Sequence, residues 1–119
     1  MNGKKVLIVE DDFMLSLINK KYVELMGHKV VASVTSGADA ITAAKEYDPD
    51  IILMDIRLDG NMDGIETMIE SGKFCKAPVI YLTGNSDGEN KGRASKTNVL
   101  AFCVKPVHFE QLQEYFSKI

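Results

Sequence analysis

Asp50-Ile51-Ile52-Leu53-Met54-Asp55 decides how the rest of the chain is read. Four consecutive apolar residues follow Pro49-Asp50 and stop at a carboxylate, with Arg57 and the turn-forming Asp59-Gly60-Asn61 just beyond. This pattern predicts a strand buried on both faces, the kind found in a parallel sheet covered by helices. Ligands of open α/β sheets bind outside the carboxyl ends of the strands. Asp55 stands at such an end and is a candidate for chemistry, against the plainer alternative of a helix cap or loop charge.

Upstream, Lys4-Lys5-Val6-Leu7-Ile8-Val9 is a second apolar run and ends in three acids, Glu10, Asp11 and Asp12. It predicts a buried first strand that delivers carboxylates to its C-terminal end. Leu15, Ile18, Tyr22 and Leu25 recur at helical spacing, and Gly27 suits the C-terminal cap. Lys29–Val34 reads as another strand. Ser36 and Asp39 resemble a capping box opening a helix that carries Ala40, Ile41, Ala44 and Tyr47, which Pro49 closes.

Downstream, Asp63 and Glu66 repeat the capping pattern, with Ile65, Met68 and Ile69 on one helical face. Val79–Leu82 is extended and ends at Thr83-Gly84. Ser86–Asn98 offers a capping pair in Ser86 and Glu89, but Gly88, Gly92 and the lack of an apolar stripe predict a short, exposed, marginal helix. Val99–Val104 is a fifth strand ending at Lys105-Pro106. Phe109, Leu112, Phe116 and Ile119 mark a final helix begun by His108. Five strands alternating with five helical segments predict a mostly parallel sheet with helices on both faces.

A length of 119 residues suits one domain, 1–119, with a single three-layer core. The net charge of −3 gives no general attraction for nucleic acid or anionic membranes, and no DNA-binding motif is present. No apolar run approaches a membrane span, and the N-terminus lacks a signal-peptide pattern. Cys75 and Cys103 fit neither a metal-ligand spacing nor a disulfide framework, and Cys103 reads as core. A reducing cytoplasm is the expected setting. Met14, Met26, Met54, Met62 and Met68 read as core and loop packing, Lys91-Gly92-Arg93 as solvated surface, and His28 and His108 as isolated.

The strand ends together carry Glu10, Asp11, Asp55, Thr83 and Lys105, and a parallel sheet places them on one edge. Carboxylates gathered at about 5 Å repel by roughly 3 kcal/mol per pair at an effective dielectric near 20. Such a cluster is tolerated when it protonates or meets a cation. Lys105 supplies one positive charge. An oxygen-only donor set without a His/Cys group favours Mg²⁺ or Mn²⁺ over Zn²⁺. An anionic phosphoryl group could then approach Asp55, the natural nucleophile, with Lys105 and the Thr83 hydroxyl on its oxygens.

Val6-Leu7-Ile8-Val9-Glu10-Asp11-Asp12, Ile52-Leu53-Met54-Asp55-Ile56, Met62-Asp63-Gly64-Ile65-Glu66, Tyr81-Leu82-Thr83 and Val104-Lys105-Pro106 come in one order along essentially the whole chain. With them the sequence resembles the response-regulator receiver domains of two-component signalling. The resemblance implies a flavodoxin-like (βα)5 fold with strand order 2-1-3-4-5, the order of a chemotaxis receiver protein. It implies that Asp55 is the phosphoacceptor for a sensor histidine kinase or phosphotransfer protein. Asp11 would ligate Mg²⁺ directly and Glu10 mainly through water, with Asp55 and the Arg57 backbone carbonyl completing the protein's share. Lys105 would contact the phosphoryl group, the Lys105-Pro106 peptide would be cis, and Thr83 and Phe102 would form the switch pair. The face made by the fourth helix, fifth strand and fifth helix would act on an unknown output partner or attached domain. The protein would be a regulator rather than an enzyme, a monomer or a phosphorylation-dependent homodimer.

Some residues depart from the family's usual pattern. Asp59-Gly60-Asn61-Met62 lengthens the loop after Asp55, Gly84 stands where alanine is common, and Ser86–Asn98 is glycine-bearing. Arg57 is expected to pair with Glu10 or a neighbouring carboxylate and partly close the site. Among alternatives, an aspartate-nucleophile phosphatase of the haloacid dehalogenase type needs an aspartate where Arg57 stands. A flavodoxin needs a hydroxyl-rich phosphate loop where Glu10, Asp11 and Asp12 stand.

Overall fold

In the computed structural model, which describes residues 3–58, 60–84 and 88–119, β3 (Ile51–Asp55) is the central strand of a five-stranded parallel sheet. Its neighbours are β1 (Lys5–Val9) and β4 (Val79–Thr83), with β2 (Lys29–Val34) and β5 (Val99–Val104) outermost, in the order 2-1-3-4-5. Five helices alternate with the strands: α1 (Phe13–Leu25), α2 (Gly37–Tyr47), α3 (Gly64–Ser71), α4 (Gly88–Ala94) and α5 (Phe109–Phe116). This is the parallel sheet that the pattern of runs predicts, in the flavodoxin-like strand order that the family resemblance implies.

The apolar run at 51–54 is continuous because both sheet faces are covered. Successive side chains of a strand point to opposite faces. Ile52 and Met54 join Leu7, Val9 and Tyr81 against α2, α3 and Ala94 of α4. Ile51 and Leu53 join Val6, Ile8, Ile80 and Leu82 against Val23 of α1 and Leu112 and Phe116 of α5. The register places Val9 beside Met54, Asp55 beside Leu82 and Thr83 beside Val104. The residues that end β1, β3, β4 and β5 therefore share one edge.

The helices correct several finer expectations. α1 turns Asn19 and Val23 inward, while Ile18 and Leu25 of the expected stripe are 39% and 64% exposed. A stripe drawn only through apolar residues passes over a buried asparagine and so takes the wrong phase. Met14 is 63% exposed and packs in no core, whereas Met54 and Met68 are buried. In α2 the alanines at 40, 43 and 44 face the sheet and Tyr47 lies outside, because small side chains allow close approach. Ile69 of α3 is also exposed.

The Asp63–Glu66 capping box forms in both directions. The Lys105-Pro106 peptide is cis. α4 is seven residues long, the short helix the glycines predict. The suggested Ser86–Glu89 cap and the Asp59 position of the loop after β3 lie outside the described residues.

Candidate acidic site at the strand ends

Three strand ends deliver three carboxylates and one amine to a single point. Glu10, Asp11 and Asp55 each present an oxygen within 4.8 Å of the others. Glu10 and Asp55 are 1% and 2% exposed, whereas Asp11 faces solvent. The Lys105 ammonium donates to Asp55 Oδ2 at 2.9 Å and to both Glu10 oxygens at 3.2 Å. Backbone amides hold the acids from behind: Asp12 N–H donates to Glu10 Oε2 and Arg57 N–H to Asp55 Oδ1, each at 3.1 Å. Asp12 itself caps α1 through Leu15 N–H, so the turn that starts the helix also fixes Glu10.

One lysine cannot balance this many acids. Burial, and then the adjacent Asp55 carboxyl, push Glu10 up to about 7. Burial pulls Lys105 down, but its bonds to Asp55 and Glu10 outweigh that and the net shift is upward. The ammonium is therefore firmly charged, and the acid cluster holds room for further positive charge.

Thr83 stands half-buried at the next strand end and, with Ile56, Asn90 and Phe102, lines a cavity of about 70 Å³. Phe102 lies outside the acid cluster and stacks on Tyr81, ring centroids 5.3 Å apart. The structure thus brings Glu10, Asp11, Asp55 and Lys105 into contact distance and sets Thr83 and Phe102 around the adjoining cavity. Arg57 does not close the pocket. Its side chain is exposed and makes no ion pair among the described residues, because Lys105 already engages both Glu10 oxygens.

Other residues take part in ways their sequence does not suggest. Gly64 opens α3 so close to β3 that a β-carbon there would collide with the Asp55 carbonyl and lie 2.8 Å from Met54 Cγ. Its N–H donates to the Ile56 carbonyl at 2.7 Å. The glycine after the Asp63 cap was the available signal. Arg93 is not simply solvated: its guanidinium meets Asp63 Oδ2 at 2.8 Å. Lys91 Nζ sits 5.8 Å from the Phe102 ring centroid.

A doubly covered parallel sheet with an acid cluster and a lysine at its carboxyl edge defines the receiver type of flavodoxin-like domain. Residues 6–117 match the family model for the response regulator receiver domain, and the chain belongs to that family. It is 29% identical to a probable C4-dicarboxylate response regulator of Priestia megaterium, over 96% of this chain and 51% of that protein. It is 34% identical to the transcriptional regulatory protein ZraR of Klebsiella oxytoca, over 95% of this chain and 26% of that one. The chain therefore spans about half the length of the first relative and about a quarter of the second. Among solved structures it resembles the signal receiver domain of a modulated diguanylate cyclase from Desulfovibrio desulfuricans G20. The TM-score is 0.91 at 32% identity, covering 98% of this chain and 93% of that one.

Proposed function

We propose that this receiver domain is a phosphoacceptor switch in which Asp55 takes a phosphoryl group from a sensor histidine kinase or phosphotransfer protein. The observation that carries the reading is the setting of Asp55. A buried carboxylate is held between the Lys105 ammonium and the Arg57 amide, beside two further acids.

The donor set fits a hard divalent cation: oxygens only, close together, with more negative charge than Lys105 offsets. Glu10, Asp11 and Asp55, with the Arg57 carbonyl, would hold Mg²⁺ or Mn²⁺. When bound, such an ion neutralises charge on the transferred phosphoryl oxygens. The remaining work belongs to the chain. An Asp55 carboxylate oxygen bonds to phosphorus as the phosphorus–nitrogen bond of the donor phosphohistidine breaks. The electron pair leaves on the imidazole, which takes a proton from solvent. Lys105 and the Thr83 hydroxyl bind phosphoryl oxygens in place of the acids that Lys105 holds at rest.

Residues Phe13, Met14 and Leu17 expose an apolar strip on the first turns of α1, directly after the acids, where a donor protein can seat. Movement of Thr83 and Phe102 about their shared cavity would pass the state of Asp55 to α4, β5 and α5, and so to a partner or an attached output domain. The domain assists only its own phosphorylation and dephosphorylation, in the cytoplasm. Acetyl phosphate with Mg²⁺, read by intact mass, tests the reading. The wild type gains one phosphoryl group and Asp55→Asn gains none; equal labelling of the two would place the acceptor elsewhere.

A further inference from the structure

Among its described residues α4 has few apolar anchors. It is seven residues long, starts with a glycine and carries another in its middle. Ala94 is its one buried side chain among the described residues. A helix this short does not persist alone in water, so its position is set by what tethers it.

Among the described residues, two polar tethers come from positions four apart, 93 and 97. Arg93 Nη2 donates to Asp63 Oδ2 at 2.8 Å, while Asp63 Oδ1 accepts from Glu66 N–H at 2.9 Å. One carboxylate thus caps α3 with one oxygen and holds α4 with the other. Thr97 Oγ1 lies 2.6 Å from the Ala94 carbonyl and 2.8 Å from the Tyr81 hydroxyl. A hydroxyl has a single proton. Thr97 donates its own to Ala94, so the Tyr81 hydroxyl donates to Thr97. Tyr81 is fully buried in β4, and its ring stacks on Phe102. A continuous line of contacts therefore runs from the cavity beside Thr83, through Phe102 and Tyr81, to the end of α4.

We propose that Arg93 and Thr97, gripping Asp63 and Tyr81, form a clasp that fixes the resting position of α4, and that opening it frees α4 when Asp55 is phosphorylated. The link to Asp55 rests on the phosphoacceptor reading; the clasp itself is testable in the unmodified protein. Opening requires little work, because a partly exposed ion pair and one hydroxyl bond are each small contributions. The β3–α3 loop that carries Asp63 begins at the phosphoacceptor strand, so Asp55 has a route to one half of the clasp and Phe102 to the other.

Two conservative variants separate the clasp from the fold around it. Asp63→Asn keeps an oxygen to cap α3 and removes the charge that Arg93 meets. Tyr81→Phe keeps the ring stack and removes the hydroxyl. Hydrogen exchange of the Ser95, Lys96 and Thr97 amides, which close the last turn of α4, is expected to quicken roughly two- to fivefold in each variant. The Thr67 and Gly72 amides of α3 should keep their wild-type rates. Labelling by acetyl phosphate and Mg²⁺ should quicken by a similar factor, since the resting arrangement loses population to the one that binds the phosphoryl group better. Unchanged exchange at Ser95–Thr97 in both variants would overturn the clasp. Faster exchange with unchanged or slower labelling would overturn its coupling to Asp55. A wild type that takes no label would overturn the phosphoacceptor reading and the coupling together, while the exchange rates would still decide the clasp.

Discussion

α3 and α4 are eight and seven residues long and follow neighbouring strands, yet they are held by opposite means. α3 has a reciprocal capping box and buries Gly64, Ile65, Thr67, Met68 and Ser71. Its first residue is pressed against the end of β3, the strand that carries Asp55. Among the described residues α4 has two glycines and one buried alanine, and its contacts include an ion pair from Arg93 and, just past its end, a hydroxyl bond from Thr97. Truncating a buried apolar side chain costs about 2–5 kcal/mol, whereas an exposed ion pair contributes under about 1 kcal/mol. The lesson is a division of labour. Apolar burial fixes the acid cluster, and weak polar contacts hold the segment whose movement would carry the signal.

The most severe way to break the anchored side is at the acid itself. Asp55→Asn is expected to abolish phosphoryl uptake while leaving the far-ultraviolet circular dichroism unchanged, because an amide of the same shape keeps the Arg57 N–H partner. Next in size is the charge balance at Glu10. A folded-state value near 7, against 4.5 for the free side chain, means the folded protein holds this proton more tightly than the unfolded chain does. The resulting stability is full below about pH 4.5 and is lost as pH rises to about 7. A cation bound by the acids replaces that proton, so the rise in melting temperature caused by Mg²⁺ should grow across the same window. An Mg²⁺ effect of equal size at both ends of the window would show that Glu10 takes no part.

Two glycines then sharpen the contrast between the helices. Gly64→Val forces a side chain into the Asp55 carbonyl and Met54, and should cost about 1–3 kcal/mol in urea unfolding while slowing acetyl phosphate labelling. Gly92 has only open space where a β-carbon would go. Gly92→Ala should therefore stabilise α4 by up to about 1 kcal/mol, seen as slower amide exchange within α4 and almost no change in global unfolding. If Gly92→Ala changed global stability as much as Gly64→Val, the two helices would belong to one cooperative unit and the division would fail.

At the other end of the molecule, His28 reports on a local bond. Its Nδ1 accepts from Lys4 N–H, and burial followed by the Lys4 charge draws its titration below the ordinary 6.5. The folded state therefore prefers the neutral ring, and this contribution to stability is present above that value and falls away as pH drops below it. His28→Gln should flatten that part of the stability profile by a small amount.

Much of this was legible along the chain because the signals are local. The run at 51–54, its counterparts at 6–9, 79–82 and 99–104, and the capping pair at 63 and 66 each depend only on neighbours in sequence, and each appears in the structure. The acids and the lysine were legible for the same reason: they directly follow apolar runs. What failed needed knowledge of distant partners. An apolar stripe along α1 takes the wrong phase at Asn19, Arg57 pairs with neither Glu10 nor a neighbouring carboxylate among the described residues, and Arg93, which reads as solvated, has a partner 30 residues away.

The order of residue types by itself determined the parallel sheet, its covered faces and the gathering of Glu10, Asp11, Asp55 and Lys105 at one edge, since strand direction and register leave those side chains nowhere else to go. Only the packed molecule decided which cation engages which acid, which face of α1 is buried and what tethers α4. Those outcomes turn on ångström-scale competition between groups far apart in the chain, and nothing in their local sequence records who wins.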